Sequence, residues 1–437
     1  MNQADERNWA RNYRYAAPIV HPTSINEVQE LVAGATRVRA LGSRHSFNAI
    51  ADSTGILLAL DRLDDAIVID PVAMSVTVSG GTTYGTLAVE LEEHSYAVHN
   101  LASLPHISVA GAIATGTHGS GDQNGSLATA VTALEIVTGS GELLRVSRGS
   151  TPDFAGMVVS LGALGIVTRV TLDIQPSFTV RQVVYENLPW TSVLENFDAV
   201  LGSAYSVSLF TDWQGESADQ AWVKSRVGDA PGEARRDLAS VGTMPFTGGP
   251  SFFGGTAATI ARHPLPGITA VNCTEQLGVV GPWSERLAHF RMAFTPSNGD
   301  ELQSEYHVPR EHAVAAIETI RTLSARIAPL LLVGEVRSIA ADDLWLSPNF
   351  ERAGVALHFT WKPEQPAVEA LLLTLEAALA PFAVRPHWGK LFQTDAKTLA
   401  TSFPRLGDFR VLADRLDPVG KFRNAFIART VLDRAHP

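Results

Sequence analysis

The order of apolar and polar positions divides the chain into two parts with different rhythms. Over the first 175 residues, short runs of strand-type composition fall at 38–41, 56–60, 66–69, 75–79, 131–138, 143–146 and 166–174, with a hairpin turn at Gly139-Ser-Gly141. Helices interrupt them. Ser24-Ile-Asn-Glu27 reads as a capping box that opens a helix through Val32 and stops at Gly34. Residues 84–94 set Tyr84, Leu87 and Leu91 on one side at helical spacing, and another helix is expected near 154–161. Beyond Pro176, strand-like runs at 206–213, 221–226, 303–308, 332–339 and 355–361 precede and separate two longer amphipathic helices. One follows Pro309 and runs to about Ile327. The other covers 367–379, with Val368, Leu371, Leu372, Leu375 and Leu379 as its apolar stripe. The pattern predicts an α+β protein of two domains, the second a mostly antiparallel sheet backed by helices on one face. Residues 228–266 are rich in Gly, Pro and Ala and read as one long loop. There is no internal repeat.

Alternation also sorts the polar residues of the second part. Glu335 and Arg337 are two residues apart and share a strand face. In 355–361, Val355, Leu357, Phe359 and Trp361 form a wholly apolar face, which leaves His358 and Thr360 on the other. If the apolar face packs on the helices, His358 and Thr360 look out beside Glu335 and Arg337. The segment Arg385-Pro-His-Trp-Gly-Lys390 adds His387 and Lys390. From spacing alone, such a polar face is most simply a solvated one.

Composition narrows the function. A chain of 437 residues with 45% hydrophobic content can bury a large core. Lys and Arg number 34 against 45 Asp and Glu, and the net charge of −11 is unfavourable for nucleic acid or anionic membranes. No apolar run approaches the ~20 residues of a membrane span. The polar N-terminus lacks a signal-peptide core, and Cys273 is the only cysteine, so a cytoplasmic location is expected. No metal is expected either: His-Glu-x-x-His is missing and one cysteine cannot build a Cys-rich zinc site. A Gly-x-Ser-x-Gly nucleophile elbow is also missing.

The chemistry concentrates in residues 103–121, Ser-Leu-Pro-His-Ile-Ser-Val-Ala-Gly-Ala-Ile-Ala-Thr-Gly-Thr-His-Gly-Ser-Gly. Glycines let a backbone approach a ligand closely, and amides in such a loop can face a phosphate. Yet Gly111-x4-Gly116 is followed by Thr-His, so this is no P-loop, and no Gly-x-Gly-x-x-Gly follows a predicted strand. A second segment, Leu41-Gly-Ser-Arg-His-Ser-Phe-Asn48, stands at the end of a short apolar strand.

Together the two segments resemble the FAD-binding domain of the vanillyl-alcohol oxidase family, with the nearest likeness to its alditol oxidases, and the resemblance covers nearly the whole chain. It implies a PCMH-type FAD-binding domain over 1–175, a substrate (cap) domain over 176–393, and a segment, 394–437, that returns to the first domain. It also implies FAD bonded covalently through a single histidyl linkage at His45. Gly42, Ser43, Arg44, Ser46, Phe47, Ser103, Ser108, Gly111, Thr115, Gly116, Thr117, His118, Ile166 and His387 would contact the cofactor. Arg44 stands where the nearest relatives often carry glycine. Ala102 would lie where residue size influences oxygen access. Ser103, Glu335, Arg337, His358 and Thr360 match the substrate pocket. His358 or Lys390 would be the catalytic base, since a histidine titrates near neutrality and a buried lysine can be brought there. The implied reaction is oxidation of a terminal primary hydroxyl of an alditol such as xylitol or sorbitol, with oxygen as acceptor and hydrogen peroxide as product. Within the same fold the alternatives are a sugar-lactone oxidase or a dehydrogenase using another acceptor. Outside it, the alternative is a non-catalytic carbohydrate-binding protein. The expected partners are a small polyol and oxygen, with no nucleic acid and no membrane, and the expected state is a monomer.

Overall fold

Alternation and helical spacing resolve into three main sheets with their helices in the computed structural model, which describes residues 6–64, 66–228, 248–294, 299 and 301–432. Near the N-terminus, Ile19–Val20, Ile56–Ala59 and Val38–Leu41 form a small parallel sheet. Helix Ile25–Gly34 connects two of these strands. Its cap, Ser24, accepts from the Glu27 amide at 3.2 Å, while the Glu27 carboxylate reaches back to the amide of Thr23 at 2.7 Å. The box thus closes one residue earlier than the usual pattern. A five-stranded antiparallel sheet follows, in the order Val68–Asp70, Ser75–Ser79, Ile166–Asp173, Val131–Val137, Leu143–Ser147.

The second part is built on a large antiparallel sheet. Its central order is Thr179–Pro189, Ser217–Val227, Ser206–Thr211, Leu331–Ile339, Gly354–Trp361, Leu302–Pro309. Val355, Leu357, Phe359 and Trp361 are fully buried. They pack with Ala313, Ala316, Ile317 and Ile320 of helix Ala313–Thr322 and with Val368, Leu371, Leu372 and Leu375 of helix Gln365–Leu379. Each such side chain contributes about 1.5–3 kcal/mol on burial, so this face fixes which way the strand turns. The helix after Pro309 does not run unbroken to Ile327. A 3-10 turn at Arg310–His312 leads into Ala313–Thr322, and Ser324–Ile327 is a separate turn. At the break, the Thr322 hydroxyl donates to the Thr319 carbonyl at 2.7 Å, a local bond that competes with the helix ladder.

Within 228–266, residues 229–247 lie outside the described residues. The remainder is not all loop, since Ser251–Phe252 and Gly255–Ala257 form a hairpin that pairs with Thr179–Pro189. The last helices, Leu406–Leu416 and Ala425–Thr430, bury Phe409, Leu412, Phe426 and Ile427 in the same apolar cluster as Val78, Leu87 and Leu134. Asn424 secures this return, its amide donating to the carbonyls of Ala49, Ile50 and Asp52. No helix of the described residues is long and apolar enough to cross a membrane.

Candidate active site

The connection between the parallel strands Val38–Leu41 and Ile56–Ala59 carries Gly42-Ser-Arg-His-Ser-Phe-Asn48. Glycine at 42 is required by close approach. A Cβ there would lie 2.6 Å from Ser108 Oγ, and one at Gly111 would lie 2.7 Å from the same atom. Arg44 takes φ of 63°, a left-handed conformation that costs an L-residue about 1–2 kcal/mol. It is held there by two contacts: its carbonyl accepts from the Trp9 amide at 2.8 Å, and its guanidinium pairs with Glu6 at 2.5 Å. The Trp9 indole stacks on the His45 imidazole, with ring centroids 4.4 Å apart and planes 16° from parallel. Burial drives His45 down to about 4, so the ring is neutral near pH 7, and its Nε2 is buried without a hydrogen-bond partner.

A cavity of about 560 Å³ opens beside this histidine, within the size range of ligand pockets. Its far wall is the centre of the large sheet. There the register sets Glu335, His358 and Glu305 in one row across three adjacent strands. The row on one side holds Arg337, Ala356 and His307, and the row on the other holds Val333, Thr360 and Gln303. Positions two apart share a face, so these rows look the same way, opposite the helix-packed face.

Glu305 is the centre of this wall. Its side chain is 0% exposed. One oxygen, Oε2, accepts from Lys390 Nζ at 2.7 Å and Arg337 Nη2 at 3.2 Å, and lies 2.9 Å from His358 Nδ1. The other, Oε1, is 2.5 Å from His118 Nε2 and 3.3 Å from His307 Nε2. The His307 contact is close enough for attraction but misaligned, for neither ring nitrogen of His307 completes a hydrogen bond. Burial pushes the Glu305 carboxyl upward, but Lys390 and His118 outweigh it and hold it well below the carboxylate range. Burial, with Lys390 beside it, lowers His358 to about 4, and burial lowers Lys390 as well.

Glu335 has a separate support. It accepts from His289 Nε2 at 2.8 Å, and the Lys224 ammonium, 3.3 Å from Nδ1 of that ring, fixes the tautomer that can donate. Lys224 also donates to the carbonyls of Leu287 and Ala288, and burial draws it down to about 7. Burial acts upward on Glu335, yet Arg337 and His289 together keep it ionised far into the acid range. Arg337 in turn reaches Ser103 Oγ at 3.4 Å, and Thr360 Oγ1 lies 3.0 Å from His358 Nε2. Such a wall offers fixed donors and acceptors for several hydroxyls, plus, in His358, a neutral nitrogen base that can take a proton.

The two walls are tied together. The Phe47 amide donates to the Gly389 carbonyl at 2.8 Å, and Asn48 Nδ2 donates to the carbonyls of Trp388 and Lys390 at 3.0 and 2.7 Å. His387 Nδ1 accepts from the Gly389 amide at 3.1 Å. Ala102, Ser103, Ser108, Gly111, Thr115, Thr117 and His118 all border the cavity, as do Gly42, Ser43, Arg44, Ser46 and Phe47. Two residues expected at the cofactor do not. Ile166 points into an apolar cluster with Val28, Val38 and Phe422, because strand alternation turns Gly165 and Val167 to the cavity instead. Gly116 turns the chain at φ of 70° beside Pro348, away from the opening.

A flavin fits these residues. The unpartnered His45 nitrogen, the equally unpartnered Ser108 Oγ and the space kept free by Gly42 and Gly111 form an unfilled cradle. A metal fits less well. His118, Glu305 and His307 bring donor atoms within 4.8 Å of one another, but Glu305 already pairs with Arg337 and Lys390.

Comparison with known proteins gives a consistent picture. The family described as FAD binding domain matches residues 16–147, and that described as D-arabinono-1,4-lactone oxidase matches residues 295–430. An alditol oxidase of Streptomyces sp. is 46% identical over 430 residues, 98% of each chain. An L-gulono-1,4-lactone dehydrogenase of Mycobacterium tuberculosis is 30% identical, covering 94% of this chain and 95% of the other. Cholesterol oxidase from Brevibacterium sterolicum superposes with a TM-score of 0.73 at 15% identity, covering 97% of this chain and 96% of that one, a likeness of fold alone.

Proposed function

The chain belongs to the alditol oxidases of the FAD-binding flavoproteins, and we propose that it oxidises a terminal primary hydroxyl of xylitol, sorbitol or a similar polyol to the aldose, releasing hydrogen peroxide. The observation that carries this reading is the joining of the two walls. The strand end bearing His45 is hydrogen-bonded to the segment bearing Lys390, so the cofactor cradle and the polar rows border one cavity. FAD, when bound, would supply the hydride acceptor and the route by which electrons reach oxygen.

The protein's own residues do the rest. His45, neutral and without a partner at Nε2, is the single covalent attachment, and Trp9 and Phe47 hold its ring. Gly42, Ser43, Arg44, Ser46, Phe47, Ser108, Gly111, Thr115, Thr117, His118 and His387 enclose the cofactor, and Ala102 leaves room for oxygen. Lys390 and His358 stand at the reacting hydroxyl and take its proton. Glu335 accepts from neighbouring hydroxyls and Arg337 donates to them, with Ser103 and Thr360 completing the set.

A second reading has a specific basis. The lactone oxidase family match, 295–430, contains Glu335, Arg337, His358, Thr360 and Lys390, so the same pocket is compatible with an aldonolactone. A panel of xylitol, sorbitol, L-gulono-1,4-lactone and a simple monoalcohol, with peroxide detection, separates the two. Polyols are expected to give the highest kcat/KM. A lactone as the only productive substrate would replace the alditol reading.

A further inference from the structure

Resting on the alcohol-oxidation reading, we propose that Glu305 is a positioning residue whose buried carboxylate joins Lys390 and His358 into one proton-sharing base. Lys390 Nζ, Glu305 Oε2 and His358 Nδ1 form a closed triangle with sides of 2.7, 2.9 and 2.7 Å. His358 Nδ1 can accept from Lys390 or donate to Glu305, but it cannot do both. When the group carries one proton more, that proton sits either on Lys390, as an ammonium donating to both neighbours, or on His358, as an imidazolium donating from Nδ1 to Glu305. The two forms differ by a shift across the 2.7 Å Nζ–Nδ1 contact, and both donate to the same carboxylate oxygen. Breaking the substrate O–H bond thus forms one N–H bond within the pair, and Glu305 balances the charge in either form.

The surroundings make that balance necessary. Facing Glu305 are His118 from the Gly-rich loop, His307 from its own strand, Arg337 from the adjoining row, and His387 and Lys390 from the segment after Arg385–Pro386. Of the other carboxylates lining the cavity, Glu335 is already paired with His289 and Arg337, and Glu301, which accepts from Gln303 Nε2 at 2.7 Å, acts on Lys390 through its charge. Without Glu305 the arriving proton would add positive charge beside Arg337, with Glu335 left to balance both.

The test is the pH profile of kcat for xylitol in wild type, Glu305→Gln and Glu305→Asp, with flavin content checked for each. The glutamine variant loses the anion that favours the protonated base. Its acid limb is expected to move to lower pH by on the order of one unit, and its plateau kcat to fall about ten- to hundredfold, with a smaller change in KM. Aspartate keeps the charge but withdraws it by one methylene, so its limb is expected to shift less, in the same direction. This variant also provides the reading if the glutamine variant does not fold. A limb that stays at the wild-type position in every folded variant, whatever happens to kcat, would reduce Glu305 to a packing role and overturn the proposal. Wild-type enzyme that turns over no polyol strikes the alcohol-oxidation reading instead, which keeps the two failures apart.

Discussion

The His45 imidazole has Trp9 on its face and Phe47 at its edge, yet its Nε2 gives no hydrogen bond. A buried polar atom left unpaired typically costs about 1–3 kcal/mol, and the proposed covalent attachment would give that ring a purpose. On a denaturing gel under ultraviolet light, wild-type protein is expected to show a fluorescent band and His45→Ala none. A band that survives in the variant would move the attachment elsewhere. His45 and its neighbours were legible in the sequence because they form one contiguous run. Trp9 was not, since its stacking on His45 joins segments that nothing in the local pattern connects. Glu305 was half-legible: alternation places it with Gln303 and His307, but only the register reveals that it lies opposite His358. Arg44, at a position where glycine would be freer, owes its strain to φ of 63° and its retention to Glu6 and Trp9.

Among the elements, the three strands carrying Glu305, His358 and Glu335 decide what the site can read. One face is committed to the helices by Val355, Leu357, Phe359 and Trp361, so the polar residues on the other face have no freedom to turn away. That reasoning was available from the sequence and placed Glu335, Arg337, His358 and Thr360 on one wall. The strand Thr179–Pro189 was not foreseen. Its apolar residues bunch at Val183-Val184-Tyr185, and Asn187, at φ of 58°, interrupts the pairing with Ser217–Val227. Because Glu335 sits in the row with His358, the role proposed for it is to recognise a hydroxyl next to the reacting one. Removing a charged hydrogen-bond partner from a buried site costs about 2–4 kcal/mol. Glu335→Gln is therefore expected to lower kcat/KM for xylitol far more than for a monoalcohol lacking neighbouring hydroxyls. Equal losses for both would remove that role.

At the scale of the whole molecule, the cavity exists because long-range bonds join separately patterned parts. The Gly121 amide donates to the Ser338 carbonyl at 2.9 Å, and the Ala340 amide to the Asn124 carbonyl at 3.0 Å, sewing the Gly-rich loop to the end of the Glu335 strand. Asn48 makes the matching connection to Trp388 and Lys390. Periodicity reports which face of an element is buried but not which distant element covers it. The α+β character and the helix-backed sheet could therefore be read in advance, and the closure of the pocket could not. That closure would bring a polyol on the sheet wall against a flavin on the other. Anaerobic rapid mixing with saturating xylitol, followed by admission of air, tests this most directly. The expected result is complete bleaching of the flavin, then recovery of colour with release of peroxide. A flavin that keeps its colour with xylitol, sorbitol and every other polyol tried, yet bleaches with an aldonolactone, would contradict it.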